Sequence, residues 1–541
     1  MTQPHDVRVV NANVLTMDPR QPRAEAIGFR DGIITAVGST ESVPADGRNT
    51  RTVDMAGATI VPGLIDAHSH LDLMAYAWEI ATDCRSSRVD SIDGIVDALC
   101  RTAARTPAGT WVMGMGEHYQ NHKLAEGRYP DKHDLDRVST THPVMYRASY
   151  HLNVFNSLGL ELLGVDDDTP DAPGGRIERD PLTREATGRT YDMFSPLGGP
   201  QPAPAELAEG IRRVQERYLS VGVTALGDIV LHAEGLDALM DVERSGGLVL
   251  RASLYPKLPV VASARDVASG RLAERFAGLD PDRLRLSGVK IFLDGGLTAG
   301  AAALYEDYPG QPGYRGELAY RDEEVRELVR TADEAGLQIA IHAIGDRALD
   351  QAIEAIEALG DRRRGAPRHR IEHAGNMFMT KERIDRLVTA RIVPVPQPAF
   401  LRTTAPGYIK HLGRDRIGPV MPFRTLIDQG LPVPGNSDAI GITADQHHPF
   451  PAMQTAVTRR VNDGEVLEAD EAVSVEEALR MYTTWAAYSL GREAELGSLS
   501  AGKAADFAVL SRDPTEVPAD EIGALTVAST WIAGREVYQA P

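Results

Sequence analysis

Cysteine is nearly absent from this chain of 541 residues: Cys84 and Cys100 are the only two. They lack the CxxC spacing of a cysteine-ligated zinc finger or redox motif, and two thiols build no disulfide framework, so both are expected to be ordinary buried thiols. Long apolar runs are also missing. Nothing in the sequence approaches the roughly 18 apolar residues that a bilayer span needs. The opening MTQPHDVRVVNANVLTMD has no basic segment followed by an apolar one, so no secretory signal is expected. The chain is therefore read as cytoplasmic. Positive charge is in deficit, with 57 Lys and Arg against 77 Asp and Glu and a net charge of −20. Such a field repels phosphate backbones and anionic lipid heads, which excludes nucleic acid and membrane surfaces as partners. A small-molecule substrate is the remaining expectation, and a homodimer is compatible with the sequence.

What is present is a globular composition, 43% hydrophobic and 25% charged. The length exceeds one ordinary domain and suits a large (β/α)8 barrel of roughly 250 residues carrying additions. Residues 7–65 are short β-rich pieces (VRVVNANVLT, AIGFRDGIITAVG, RTVDMAGATIVPG) separated by Gly and Asp-Gly turns, which reads as a small antiparallel sheet. The C-terminus, GSLSAGKAADFAVLS and ALTVASTWIAGREVY, repeats the pattern. Each set is too small to bury a core alone, so the two are expected to form one composite β-sandwich from residues 1–64 and 492–541. Between them, in residues 65–491, strand-like runs alternate with amphipathic helices, such as that marked by Leu207, Ile211, Val214 and Tyr218. Alternation of this kind implies a parallel sheet, closed or open. Residues 72–205, rich in Pro, Gly and charge, fit a barrel poorly and read as an inserted α+β cap over its mouth.

Polar residues end several of the apolar runs. His68 and His70 stand in GLIDAHSHLD, Lys290 in GVKIFLDGG, His342 in AIHAIGDRA, His373 in RIEHAG and Asp438 in PGNSDA. The carboxyl ends of barrel strands converge on one mouth, which would gather these groups into a metal site. Alternation along a strand points both imidazoles of an HxH pair to one side. An HxH is weak alone, and two satisfied polar residues at a strand end is its bland reading. Together with His342 and His373, the count of nitrogen donors matches a zinc-type site. Asp438 could be a turn or helix-cap aspartate; at the metal it could take a proton from water and pass it to a leaving group. Lys290, in an apolar strand, must be neutralised, paired or modified. Either an ion pair with Asp294 or carboxylation by CO₂, giving a carbamate able to bridge two cations, meets that need. Asp346 is expected to cap the helix after His342.

These motifs resemble the metal-dependent amidohydrolase superfamily, in particular its third large family, the group similar to N-substituted formamide deformylases. The resemblance runs through IVPGLIDAHSHLD, WVMGMG, PDKHDLDRV, HLNVFNSLGL, PGGRIERDP, GVKIFLDGG, IHAIGDRALD, RIEHA, NSDA, AVTRRV and GSLSAGKAADFAVLSRDP. It implies a distorted (β/α)8 barrel, a composite β-sandwich, an inserted cap and one or two divalent ions, usually zinc. It also implies roles: His68 and His70 on one metal, carboxylated Lys290 as bridge, His342 and His373 on the second, and Asp438 as ligand and base. His151, in YHLNVFNS, aligns with a histidine kept in the family and becomes a candidate for polarising the substrate carbonyl. There are departures. Similar proteins read DGSLGSR where this chain has DGGLTAG, and a Trp is common where Glu117 and His118 stand. The expected reaction is hydrolysis of an amide or other non-peptide C–N bond by metal-activated water, with a hydrophobic or aromatic substrate indicated by the apolar 296–303 stretch. The same site could serve lactone or ester hydrolysis, deamination or C–C cleavage, and a non-catalytic scaffold is the reading from another class.

Overall fold

In the computed structural model, eight short strands in the central part of the chain pair in parallel. They are β1 (Leu64–Ser69), β2 (Val223–Val230), β3 (Arg251–Pro256), β4 (Leu284–Leu286), β5 (Gly288–Phe292), β6 (Gln338–His342), β7 (Arg370–Glu372) and β8 (Val393–Val395). The structure describes residues 6–43, 45, 50–117, 120–171, 175–191, 200, 202–297, 300–360, 367–443 and 445–541. Two four-stranded sheets result, ordered β4-β3-β2-β1 and β5-β6-β7-β8. Every position of β1, β2, β3, β6, β7 and β8 is buried, as parallel strands covered on both faces must be. The apolar run RLSGVKIFLDG around Lys290 is divided between β4 and β5.

One bridge joins the two sheets. Lys257 pairs with Lys290 in parallel, and Leu258 N–H donates to the Lys290 carbonyl at 2.8 Å, which places β3 beside β5. At the other edge Ser69 pairs with Ala439, so the chain just after residues 431–438 lies against the end of β1. Among the described residues the parallel strands are thus two sheets joined by one bridge, not one continuous eight-stranded ladder. Helices cover them as the apolar spacing predicts. Pro204–Leu219 buries Leu207, Ile211, Val214 and Tyr218, Asp322–Glu334 buries Val325, Val329 and Ala332, and Asp346–Glu357 buries Leu349, Ala352, Ile353 and Ile356. Asp346 is the first residue of its helix instead of the one before it, and its carboxylate accepts from the Tyr305 and Arg347 amides.

Between β1 and β2 the chain builds a six-stranded sheet from Thr82–Asp83, Val112–Met115, Val144–Ser149, Leu152–Phe155, Arg176–Arg179 and Ala186–Tyr191. It has its own apolar core around Ile95, Leu99, Val112, Tyr146 and Val154. Val144–Ser149 and Leu152–Phe155 are antiparallel, and their connection carries Tyr150 and His151.

Strands from both ends of the chain share another sheet. Phe507–Leu510 runs antiparallel to Thr59–Pro62, and Phe29, Phe507 and Trp531 occupy one core, the last two stacked with centroids 5.1 Å apart. The N-terminal strands are not purely antiparallel, as their turns led us to expect. Asp6–Val10 is parallel to Arg51–Asp54, and Asn13–Leu15 to Thr59–Pro62, because the chain crosses over between them where a tight turn would have reversed it.

One buried ion pair ties this terminal sheet to β3. Arg251 donates to both oxygens of Asp506, at 2.6 and 3.0 Å, and Asp506 also accepts from the Ala533 amide. Removing one partner strands a charge, so Asp506→Ala should cost about 3 kcal/mol of stability in a urea titration followed by tryptophan fluorescence. The double variant Arg251→Met with Asp506→Leu should recover most of that loss; equal losses in the two would contradict this account of the pair.

Candidate metal centre and active site

The parallel strands and the loops after them bring the sequence-predicted residues to one place. His68 is the fifth residue of β1, and His70 follows its end. Lys290 is central in β5, His342 ends β6, and His373 follows β7. Asp438 closes the run 431–438, which lies against β1 through Ala67 N–H to the Gly435 carbonyl at 3.0 Å and Asp438 N–H to the His68 carbonyl at 2.8 Å. All six residues, with His151, line a single cleft of about 790 Å³, counting the space at its mouth.

The imidazoles are held from behind. His68 Nδ1 lies 2.5 Å from Glu372 Oε2, His70 Nδ1 lies 2.8 Å from the Ile229 carbonyl, and His373 Nδ1 lies 2.7 Å from Gln397 Oε1. Each of these acceptors fixes the Nδ1–H tautomer and leaves Nε2 with a lone pair for a ligand. The Nε2 atoms of His68 and His70 both approach Asp438 Oδ1, at 3.4 and 3.1 Å. Donor atoms of these three residues lie within 4.8 Å of one another. The His342 and His373 rings are 4.5 Å apart edge to face, and the His68 and His373 rings 5.7 Å.

Burial sets the protonation of the group. It pulls His373 down to about 3 and His342 well below the ordinary range, so both are neutral imidazoles at physiological pH. Burial alone would raise the Asp438 carboxyl, but the neighbouring His68, His70 and His373 outweigh it and hold the group below the usual carboxylate range. Lys290 is wholly buried. Its ammonium is pulled down to about 8 by burial, against the opposing fields of Glu372 and Asp438. Its Nζ has no hydrogen-bond partner and sits 4.9 Å from the Phe292 ring centroid. The Asp294 carboxylate is occupied elsewhere, accepting from the amides of Ala303, Ile344 and Gly345. Pairing with Asp294 therefore does not account for Lys290. Neutral imidazoles, one ionised carboxylate and a buried amine without a partner make a donor set that fits a borderline divalent cation.

A sequence model of the amidohydrolase family matches residues 51–538. The chain belongs to the amidohydrolase family. An N-substituted formamide deformylase of Arthrobacter pascens is 30% identical over 549 residues, covering 100% of this chain and 99% of that protein. Among solved structures, an uncharacterized metal-dependent hydrolase from Pyrococcus furiosus is 26% identical with a TM-score of 0.73, over 94% of this chain and 100% of its own. Another, from Pyrococcus horikoshii OT3, is 25% identical with a TM-score of 0.75, over 95% and 99%. This amidohydrolase is accordingly a metal-dependent hydrolase of carbon–nitrogen bonds, α/β in class and TIM-barrel-like in fold.

Several residues that shape the amidohydrolase site were not singled out from sequence. Glu372 orients His68 and is itself held by Arg370, which also donates to the Ala67 carbonyl. Asp66 accepts from the His68 amide and from Ser437 N–H and Oγ, pinning β1 to the loop that carries Asp438; burial pushes its carboxyl up to about 7. Gln397 holds His373 and is fixed by Asn376. The signal was available in part, since a Glu inside RIEHAG and an Asp inside GLIDAHSH are charges within buried strands. One departure from similar sequences, Gly296, lies against His151: a Cβ there would stand 3.0 Å from the His151 ring. His118, Thr298 and Ala299 lie outside the described residues, and Glu117 bonds Ser86 and Lys123. Glu372→Gln should weaken divalent-metal affinity about 10- to 100-fold in a chelator competition; unchanged affinity would contradict an orienting role for Glu372.

Proposed function

We propose that the chain is a distorted (β/α)8 barrel with a composite β-sandwich from residues 1–64 and 492–541 and an inserted cap at about 72–205, and that it hydrolyses the C–N bond of a small, uncharged, apolar or aromatic amide. What carries this reading is the cleft. Six donors gather at its floor, while its other walls include Leu231, Phe292, Leu297, Ile344, Phe400 and Ile440. Among the described residues lining it, the titratable carboxyl, imidazole and ammonium groups are the six donors and His151, which leaves no further charged group among them to recognise a charged substituent. Similarity to an N-substituted formamide deformylase along the whole chain supports the same substrate class.

In this reading His68, His70, His342, His373 and Asp438 would hold one or two divalent cations, with carboxylated Lys290 as a further ligand, and zinc would be the metal favoured by the nitrogen-rich set. The cation supplies Lewis acidity, polarising the carbonyl and bringing the pKa of water toward about 7. Lys290 is suited to carboxylation because burial favours its neutral amine, which adds to CO₂ and loses a proton to give the carbamate. Asp438 takes the proton from the attacking water as the new C–O bond forms. It then delivers that proton to the amide nitrogen as the C–N bond breaks, releasing an amine and a carboxylic acid. His151, at the cleft wall, donates to the carbonyl oxygen as negative charge gathers on it.

Purified protein should release formate and amine from N-alkyl and N-arylalkyl formamides, carry at least one equivalent of divalent metal by elemental analysis, and lose turnover on chelation. Asp438→Asn should lower kcat by about 10²- to 10⁴-fold with the fold retained. Full turnover by that variant would contradict the role given to Asp438, and a wild type without stoichiometric metal would contradict the site.

A further inference from the structure

Buried polar side-chain atoms without a hydrogen-bond partner cluster in the cleft. Among the described residues that line it, four carry such an atom: Lys290 Nζ, His342 Nε2, Tyr150 Oη and Gln446 Oε1. The first two belong to the proposed metal site. The other two have no part in it. Tyr150 Oη has only the Arg147 guanidinium beside it, a donor, so its own proton lacks an acceptor, and Gln446 Oε1 lacks a donor; leaving buried hydrogen-bonding capacity unused costs about 1–3 kcal/mol each. Unpaired atoms kept on the wall of a binding cleft point to a ligand that completes them.

Their chemistry is complementary. Tyr150 stands beside His151 in the connection between Val144–Ser149 and Leu152–Phe155, with the Arg147 guanidinium 4.4 Å from its ring centroid. Burial pushes its phenol well above the ordinary range, so it keeps its proton and can donate. Gln446 comes from the segment after Asp438. Its Nε2 donates to the carbonyls of Ser437 at 2.9 Å and Asp438 at 3.0 Å, which fixes the orientation of the side-chain amide and leaves Oε1 as a pure acceptor. The cleft thus offers one donor and one acceptor beyond the reacting groups. A secondary amide presents the matching set, a carbonyl oxygen that accepts and a single N–H that donates. An ester or lactone has the carbonyl but no N–H.

Resting on the functional reading above, we propose that Tyr150 Oη and Gln446 Oε1 recognise the secondary amide itself: Tyr150 donates to the carbonyl oxygen alongside His151, and Gln446 accepts from the N–H. The carbonyl oxygen has two lone pairs, which accommodates both donors. Gln446 is then the residue that selects an amide over the isosteric ester, because a site built to bond an N–H discriminates against the analogue lacking it.

The test compares N-phenethylformamide with phenethyl formate on wild type, Tyr150→Phe and Gln446→Leu, with melting temperature and metal content measured alongside. Gln446→Leu should lower kcat/KM for the formamide about 10- to 100-fold more than for the formate. Loss of the loop anchor alone would lower both equally, and that result would overturn the assignment of Gln446. Tyr150→Phe should lower kcat/KM for both substrates by about tenfold or more, with metal content and melting temperature retained. Undiminished activity would overturn the assignment of Tyr150. A wild type that hydrolyses the formamide while both variants match it sinks this inference alone, whereas a wild type inactive on both substrates sinks the amide-hydrolase reading and this inference with it.

Discussion

Glu372, the Ile229 carbonyl and Gln397 each take the Nδ1 side of an imidazole, and the site depends on those three contacts. Without them His68, His70 and His373 would be free to rotate and to choose either tautomer; with them, their Nε2 atoms are left for a ligand. Each acceptor is itself held. Arg370 neutralises Glu372, Asn376 fixes Gln397, and the Ile229 carbonyl belongs to the all-buried strand β2. A buried glutamate would be costly alone, but paired with Arg370 and His68 its carboxyl is held well below the ordinary range although burial works the other way.

The backbone contributes a second constraint. His373 and Asp438 both have positive φ, 72° and 48°, a region that non-glycine residues enter at some cost. Each is pinned by its own amide, His373 to the Val395 carbonyl at 2.9 Å and Asp438 to that of His68 at 2.8 Å. Asp66 reinforces the second of these by gripping Ser437. The left-handed backbone turns both side chains into the cleft, and β8 and β1 supply the two carbonyls that hold it.

Six residues of ligating type were legible in the sequence because each interrupts or ends an apolar run, and the helices between them were legible from their apolar spacing. His68, His70, Lys290, His342, His373 and Asp438 were singled out in this way, and the structure lines one cleft with them. What supports them was not legible. Glu372 and Gln397 act across strands, and partners 304 and 24 residues apart leave no local pattern. Gln446 and Tyr150 gain meaning only once the cleft exists. Chain direction in the N-terminal sheet was misjudged for a related reason: composition marks where strands stop but not whether the chain then reverses or crosses over. The Asp294 pairing considered for Lys290 failed because three backbone amides, invisible in sequence, claim that carboxylate.

The account stands on one claim, that four imidazoles, Asp438 and Lys290 surround a common cationic centre. Anomalous diffraction from crystals of the metal-loaded protein addresses it most directly. The account predicts a peak between His68, His70, His342 and His373, touching Asp438, with electron density continuing past Lys290 Nζ toward the metal. A peak elsewhere in the molecule, or one at this cleft from which His342 and His373 turn away, would contradict it.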